Sequence, residues 1–467
     1  MKTTEFIKKI KDKEIDVVEH TYKVIEELKE LNKEYHYFNV ISDVQAVEQA
    51  KELRKNPKGR LAGLPVSVKD CIVVKEIESK AGSRILTGYK PVFDATVIKK
   101  VKREGAIIIG KTAQDAFGFG GFSVNVGLDF KIPKNPFDKA RVCGGSSGGS
   151  AGITQKASFP HISLAESTGG SIVNPASFCG VVGFCPTYGR VSRYGLMDYA
   201  NSLDKIGPMA KTVEEAALML EIISGYDENE STTSREPVEN YPGFLNKNIK
   251  NFKIGLIKES VGEGVDKVVV DRIYDGILKL ESEGAKVEEI SLPLTQKYGI
   301  STYYLIAMSE ASTNLARYCG MRYGMHERLE EGFNEYFSKV RSKHFNGESK
   351  RRIIIGTFAR MAGFRNAYYI KAMKVRTKII QEYKKHFKKF DCLISPTMPI
   401  LAPKFKEIEK LTPLQNYMMD ILTVGPNIAG LPHMSVNIGF KDKLPIGMML
   451  IVDHLMEKKL IQVGGKL

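Results

Sequence analysis

Lys253-Ile-Gly-Leu-Ile257, then Asp266-Lys-Val-Val-Val-Asp-Arg-Ile-Tyr-Asp-Gly-Ile-Leu-Lys-Leu-Glu-Ser-Glu283, then Lys286-Val-Glu-Glu-Ile290 follow one another with only short links. The outer two are short apolar or alternating runs and read as strands. The middle one keeps apolar residues at helical spacing and reads as an amphipathic helix. Strand, helix, strand is a βαβ unit, which predicts parallel strands joined by a helical crossover. The same texture extends upstream. From Leu61 to about Gly225, short β-branched runs lie between glycine turns and helices. Val66–Val68 and Ile107–Ile109 read as buried strands, and Thr212–Ser224 as a helix opening at Thr212.

Further out, residues 3–31 read as two helices, with Ile15, Val18, Tyr22, Ile25 and Leu28 near helical spacing. Residues 36–57 continue in that style up to Asn56-Pro57. Tyr226–Asn251 is polar and turn-rich, a surface excursion; 302–390 is dominated by helix, and 391–467 returns to strands and proline-rich loops. Strands alternating with helices argue for an α/β layered fold. The 467 residues would fill about three average domains by length alone. No low-complexity spacer, repeat or long charge block cuts the chain.

Composition narrows the function classes. The hydrophobic and charged fractions, 43% and 26%, are those of a globular protein. No apolar run reaches the roughly 18–20 residues of a membrane span. The N-terminal Met1-Lys2-Thr3-Thr4-Glu5-Phe6 carries no apolar signal core, so the expected location is cytoplasmic, away from membranes. The six cysteines are scattered without a Cys-x-x-Cys pair, which reads as reduced, buried thiols, and the eight histidines do not cluster; no metal site is expected. The net charge of +15, spread along the chain as lysine, suits RNA, an acidic partner or plain solvent equally well.

Two motifs tempt and fail. Gly105-Ala-Ile-Ile-Ile-Gly110-Lys111-Thr112 matches the phosphate-loop pattern, but a charged helix-like stretch, Lys99–Glu104, precedes it and the residues between the glycines are themselves the strand. Gly144-Gly-Ser146-Ser-Gly148 matches the nucleophile elbow of α/β hydrolases, with His326, His344, His386, His433 or His454 available downstream as base. The elbow needs a hydrophobic strand before it, and Lys139-Ala-Arg-Val-Cys143 is not one.

What remains is a pair of glycine-serine clusters, Cys143-Gly-Gly-Ser-Ser-Gly-Gly-Ser-Ala151 and Glu166-Ser-Thr-Gly-Gly-Ser-Ile-Val-Asn-Pro175. Glycine lets backbone N–H groups crowd around one point, and a serine among such donors sits where a developing oxyanion would be stabilised. Upstream, Leu61-Ala-Gly-Leu-Pro-Val-Ser-Val-Lys69-Asp70 offers an activating group. Lys69 follows an apolar run and is placed to be enclosed, and burial can lower a lysine pKa by about 3–5 units, making it a usable base.

Together these three motifs, in this order, resemble the amidase signature family, and the resemblance covers nearly the whole chain. It implies an α/β fold in which residues 1–467 form one large domain, a mixed twisted sheet covered by helices on both faces. Within it fall an N-terminal helical segment (1–57), a catalytic core (61–225), the excursion (226–251) and a remainder (252–467) carrying a helical substrate-side insert (302–390). It further implies Lys69 as base, Ser171 as nucleophile, and Ser146 as proton relay from a cis peptide, with Ser147 the adjacent candidate for the relay. Backbone N–H groups of Thr168, Gly169, Gly170 and Ser171 would form the oxyanion hole. On this reading Lys69→Ala abolishes hydrolysis and leaves the fold intact, because little core volume is lost. The interval from Ser146 to Ser171 is one residue longer than the family pattern, and the extra residue falls in the Gly152–Glu166 spacer.

Ser309–Gly324, Lys350–Thr357 and Asp420–Pro432 are similar to the branch of the family that hydrolyses glutamine to supply ammonia to tRNA-dependent amidotransferases. That similarity implies Arg352 on the glutamine α-carboxylate and Asp420 on its α-amino group, an apt pair for a zwitterion. It also implies B-type and C-type partner subunits in a heterotrimer and Glu-tRNA or Asp-tRNA reached through the complex. No cofactor is expected on this chain, with ATP and Mg at the partner. Four positions depart from the family pattern: Ser167 and Val173, where an Asp and an Arg are usual, Asn174 for glutamine and Cys319 for aspartate. Loss of both charges together points to a neutral replacement of an ion pair. The competing readings are a stand-alone amidase acting on a small amide, which would not need Ser309–Gly324, and a non-catalytic RNA-binding or scaffold protein.

Overall fold

An eleven-stranded mixed sheet runs through the molecule in the computed structural model, which describes residues 1–330 and 332–467. Its strands are β1 Phe38–Ile41, β2 Pro65–Lys69, β3 Ile107–Thr112, β4 Ile162–Ser167, β5 Val182–Cys185, β6 Lys205–Ala210, β7 Lys253–Ile257, β8 Lys286–Ile290, β9 Cys392–Pro396, β10 His433–Lys441 and β11 Leu444–Ile451. Their order across the sheet is β1-β3-β2-β4-β6-β5-β10-β11-β9-β7-β8. β2 pairs in parallel with β3 and β4, and β7 with β8 and β9; the remaining neighbours are antiparallel. Every residue of β2, β3, β4, β6, β9 and β11 is buried, as strands covered on both faces must be.

The βαβ unit forms as its sequence dictates. β7 and β8 run parallel with Lys253 opposite Lys286, and the helix Lys267–Ser282 crosses between them with Ile273, Ile277 and Leu280 buried. β8 closes that edge of the sheet and keeps Lys286, Glu288 and Glu289 exposed, charges that discourage pairing with another chain. The helix Val213–Ile223 opens on a reciprocal cap, in which Glu215 N donates to Thr212 Oγ1 and Thr212 N to Glu215 Oε2.

Two sequence expectations shift and a third holds. The segment after residue 36 is not wholly helical, because Phe38–Ile41 forms edge strand β1 against β3 before the helix Asp43–Lys55 begins. His36 ends the preceding helix, Val17–Tyr35, in a left-handed conformation at φ 61°, and Asn32 then grips Phe38 through both its N–H and C=O. A four-residue strand is too short to declare a period. The helical insert begins earlier than residue 302, at Pro293, where proline suits the first helical turn. The phosphate-loop look-alike is strand β3, and its Lys111 is buried against Asp70 O, Ile72 O and Ser79 Oγ.

Cys71, Cys143, Cys179, Cys185 and Cys392 are buried free thiols and Cys319 is half-buried. Among the described residues no helix is long and apolar enough to cross a membrane.

Candidate active site

β2 and β4 lie side by side and parallel, with Val68 opposite Leu164, so both strands end at the same edge of the sheet. In sheets of this kind that edge is where binding crevices form. β2 ends on Lys69. β4 ends on Glu166 and Ser167, after which Thr168–Ser171 turn the chain into the short helix Val173–Cys179. The first glycine-serine cluster reaches the same place from below. Its helix, Gly148–Lys156, packs so closely that a side chain at Gly152 would run into the ring of Tyr37. Part of the glycine density read from sequence as anion-binding loop is therefore helix-packing glycine.

Lys69 is completely buried, and its Nζ makes three hydrogen bonds: to Ser146 Oγ at 2.7 Å, to Glu166 O at 2.9 Å and to Glu166 Oε2 at 2.9 Å. The Gly145–Ser146 peptide is cis. The two adjacent serines separate cleanly. Ser147 Oγ donates to Glu166 O at 3.1 Å, whereas Ser146 is the one that meets the lysine. Among the described residues no histidine is hydrogen-bonded to the Ser146 or Lys69 side chain, which removes the hydrolase-elbow alternative.

The Thr168–Ser171 turn has its N–H groups available. Those of Gly169, Gly170 and Ser171 meet no acceptor among the described residues, while Gly170 O accepts from Asn174 N at 2.8 Å. Gly170 has φ +157°, and a Cβ there would collide with Thr423. Ser171 is 7% exposed, the only one of the three proposed catalytic side chains above zero. Ser167 and Val173 are both buried, so the usual charges are replaced by a small hydroxyl and a hydrocarbon.

Arg352 and Asp420 come together through aromatic side chains. Arg352, on the helix Gly347–Arg360, is 2% exposed and its Nε bonds Glu348 Oε1 at 2.7 Å while Nη1 bonds the Tyr199 hydroxyl at 2.5 Å. Its guanidinium lies 5.0–5.7 Å from the ring centres of Phe119, Tyr199, Tyr304 and Tyr417. Tyr304 then donates to Asp420 Oδ2 at 2.6 Å. Burial raises the Asp420 pKa to about 6, against the opposing influence of the Tyr304 bond and the Arg352 charge. Gly118 lies between the two groups: a Cβ there would stand 3.5 Å from Ser146 Oγ and 3.6 Å from the Tyr199 ring. Tyr303, beside Tyr304, packs on Gly169, and Thr423, beside Asp420, packs on Gly170. The cation, the anion and the serine turn thus line one enclosure.

The family model described as Amidase matches residues 17–461. The chain belongs to this family. Among amidases it is 45% identical over 462 residues, 98% of this chain and 94% of the other, to the A subunit of glutamyl-tRNA(Gln) amidotransferase from Sulfurihydrogenibium sp. (strain YO3AOP1). It is 44% identical over 464 residues to the same-named protein of Geobacillus kaustophilus (strain HTA426), covering 97% and 94% of the two chains. The crystal structure of the glutamyl-tRNA(Gln) amidotransferase A subunit from Thermotoga maritima superposes with a TM-score of 0.79 at 37% identity, covering 96% of this chain and 90% of that one.

Sequence reasoning passed over two parts of this amidase site. Glu166 stood inside the quoted motif without a role. Strand alternation was the available signal, since on β4 residues 166 and 167 point to opposite faces. The aromatic enclosure of Arg352 draws on residues 119, 199, 304 and 417, and nothing local in the sequence links them.

Proposed function

We propose that this chain is the glutamine-hydrolysing subunit of a tRNA-dependent amidotransferase. The amidase half rests on one observation, the 2.7 Å contact between buried Lys69 Nζ and Ser146 Oγ beside a turn whose N–H groups are unengaged. In this reading Ser171 Oγ attacks the glutamine side-chain amide and passes its proton through Ser146 towards Lys69. The oxyanion gathers the N–H groups of the Thr168–Ser171 turn, ammonia leaves, and water clears the acyl-Ser171 ester. Arg352 keeps its Nη2 for the substrate α-carboxylate and Asp420 its Oδ1 for the α-ammonium. No cofactor is assigned to this chain.

The tRNA half rests on near full-length likeness to the amidotransferase A subunits. B-type and C-type subunits complete a heterotrimer in the cytoplasm. The partner spends ATP with Mg to activate the carboxylate of Glu-tRNA or Asp-tRNA, and ammonia made at Ser171 converts it to the amide. Hydrolysis by the isolated chain is then slow, and rises when the partners, ATP and mischarged tRNA are added. Full glutaminase activity in the lone chain, indifferent to all three, would instead make it a stand-alone amidase.

A further inference from the structure

Two oxygens and four rings surround the Arg352 guanidinium. The faces of Phe119, Tyr199, Tyr304 and Tyr417 attract a cation without fixing which way its N–H groups point. Its orientation therefore rests on the oxygens, Glu348 Oε1 on Nε at 2.7 Å and the Tyr199 hydroxyl on Nη1 at 2.5 Å. One such contact leaves a planar fork free to swing about it, and two on different edges fix its plane. Among the described residues Nη2 meets no acceptor, so Nη2 is what the two contacts aim.

We propose that Glu348 is a positioning residue for substrate choice: it turns Arg352 so that Nη2 meets the α-carboxylate of glutamine. This rests on the reading of Arg352 given above and deepens it. Glu348 does not touch the substrate itself. Its side chain and that of Arg352 are 7% and 2% exposed, so water offers little competition for the contact. Burial works against the Glu348 charge, and Arg352, the Tyr417 bond and Arg351 outweigh it, holding the carboxyl below its ordinary range. A place in the first turn of the helix Gly347–Arg360 favours the same charge.

A residue that aims another must itself be held, and Glu348 is held at both ends. Tyr417 donates its hydroxyl to the same Oε1 at 2.8 Å, and Arg351 Nη1 bonds Oε2. At the backbone, Asn346 caps the helix by accepting from Ser349 N at 3.0 Å and donates to Asn125 O at 3.0 Å and Val126 O at 3.1 Å. Asn125 N reaches Asp115 Oδ1 at 2.8 Å, and Asp115 N reaches Ser146 O at 3.3 Å. The start of this helix is thus tied to the cis-peptide serine, which fixes how far the aimed guanidinium stands from the reacting groups. Glu348 and Arg352 also have the i,i+4 spacing of an ordinary helix-stabilising pair, and the two roles separate on substitution. Aspartate keeps the charge and withdraws the oxygen, whereas glutamine keeps an oxygen in place and loses the charge.

The test is KM and kcat for glutamine and for a simple amide lacking the α-amino and α-carboxylate groups, using the chain with whatever subunits accompany it from its host. Glu348→Asp should raise KM for glutamine by about tenfold or more and leave kcat within about threefold, with a smaller loss on the simple amide. Glu348→Gln should raise KM less than Glu348→Asp does. In an Arg352→Ala background Glu348→Asp should add less than about threefold, because no guanidinium is left to aim. A smaller rise in Glu348→Asp, equal losses on the two amides, or the full rise in the Arg352→Ala background overturns the proposal. A higher KM in Glu348→Gln than in Glu348→Asp also overturns it and leaves Glu348 a counter-ion. Should Glu348→Asp not fold, Glu348→Met decides: it fills a similar volume without an oxygen, so its KM should exceed that of Glu348→Gln, and an equal or lower KM overturns the proposal. If Arg352→Ala alone leaves KM for glutamine unchanged, the reading of Arg352 fails and the proposal falls with it.

Discussion

Replacing Lys69 with alanine should cost stability as well as activity. Because the change removes little core volume, the sequence alone predicts an intact fold, and the structure revises that expectation. Lys69 and Glu166 form an ion pair at 2.9 Å with side chains 0% and 4% exposed. Removing one member of a buried pair leaves an uncompensated charge, typically at about 3–5 kcal/mol. Thr168 still donates to Glu166 Oε1, but Oε2 loses the Lys69 contact, and both side chains of the pair are buried. Guanidinium midpoints and slopes for Lys69→Ala, Glu166→Gln and the double variant close a cycle whose coupling should be about 3 kcal/mol, with the double variant more stable than Lys69→Ala alone. A Lys69→Ala protein within about 1 kcal/mol of wild type, or a double variant no better than the single, would refute the ion-pair argument.

Arg352→Ala and Asp420→Asn should each raise KM for glutamine by about 10–100-fold, the worth of a charge-assisted contact, and leave a simple amide lacking α-amino and α-carboxylate groups far less affected. As pH falls through about 6, Asp420 takes up a proton and loses its attraction for the α-ammonium, so wild-type KM for glutamine should rise there; in Asp420→Asn that rise should vanish. Equal losses on both amides would mark the two residues as supports of the fold. Gly170→Ala places a methyl group against Thr423, three residues from Asp420, and should lower kcat/KM by at least tenfold with little change in far-UV circular dichroism; wild-type kinetics would show that the turn has room to spare.

The fold was legible where the period was long enough to read. The βαβ unit at 253–290, the strands at 66 and 107 and the cap at Thr212 are local signals, and each element stands where its residues put it. Edge strand β1 was not, because four residues after a left-handed His36 carry no period. The site divides in the same way. Lys69, Ser146 and Ser171 lie in dense motifs, yet choosing Ser146 over Ser147 needed the 2.7 Å contact with Lys69. The partner of Lys69 lies 97 residues away across parallel strands, and the aromatic walls around Arg352 come from four separate segments. Long-range juxtaposition of that kind is a property of topology, which a residue pattern does not contain.

Acylation of Ser171 through the Ser146–Lys69 contact leaves a covalent trace that can be trapped. Incubating the protein with a glutamine-like diazoketone and mapping the covalent adduct by peptide mass spectrometry tests it most directly. One adduct is expected, on Ser171, strongly diminished in Ser146→Ala and in Lys69→Arg, since arginine holds its proton at any working pH. An adduct on Ser146, Ser147 or a cysteine, or labelling of Ser171 at the wild-type rate in Lys69→Arg, would contradict it.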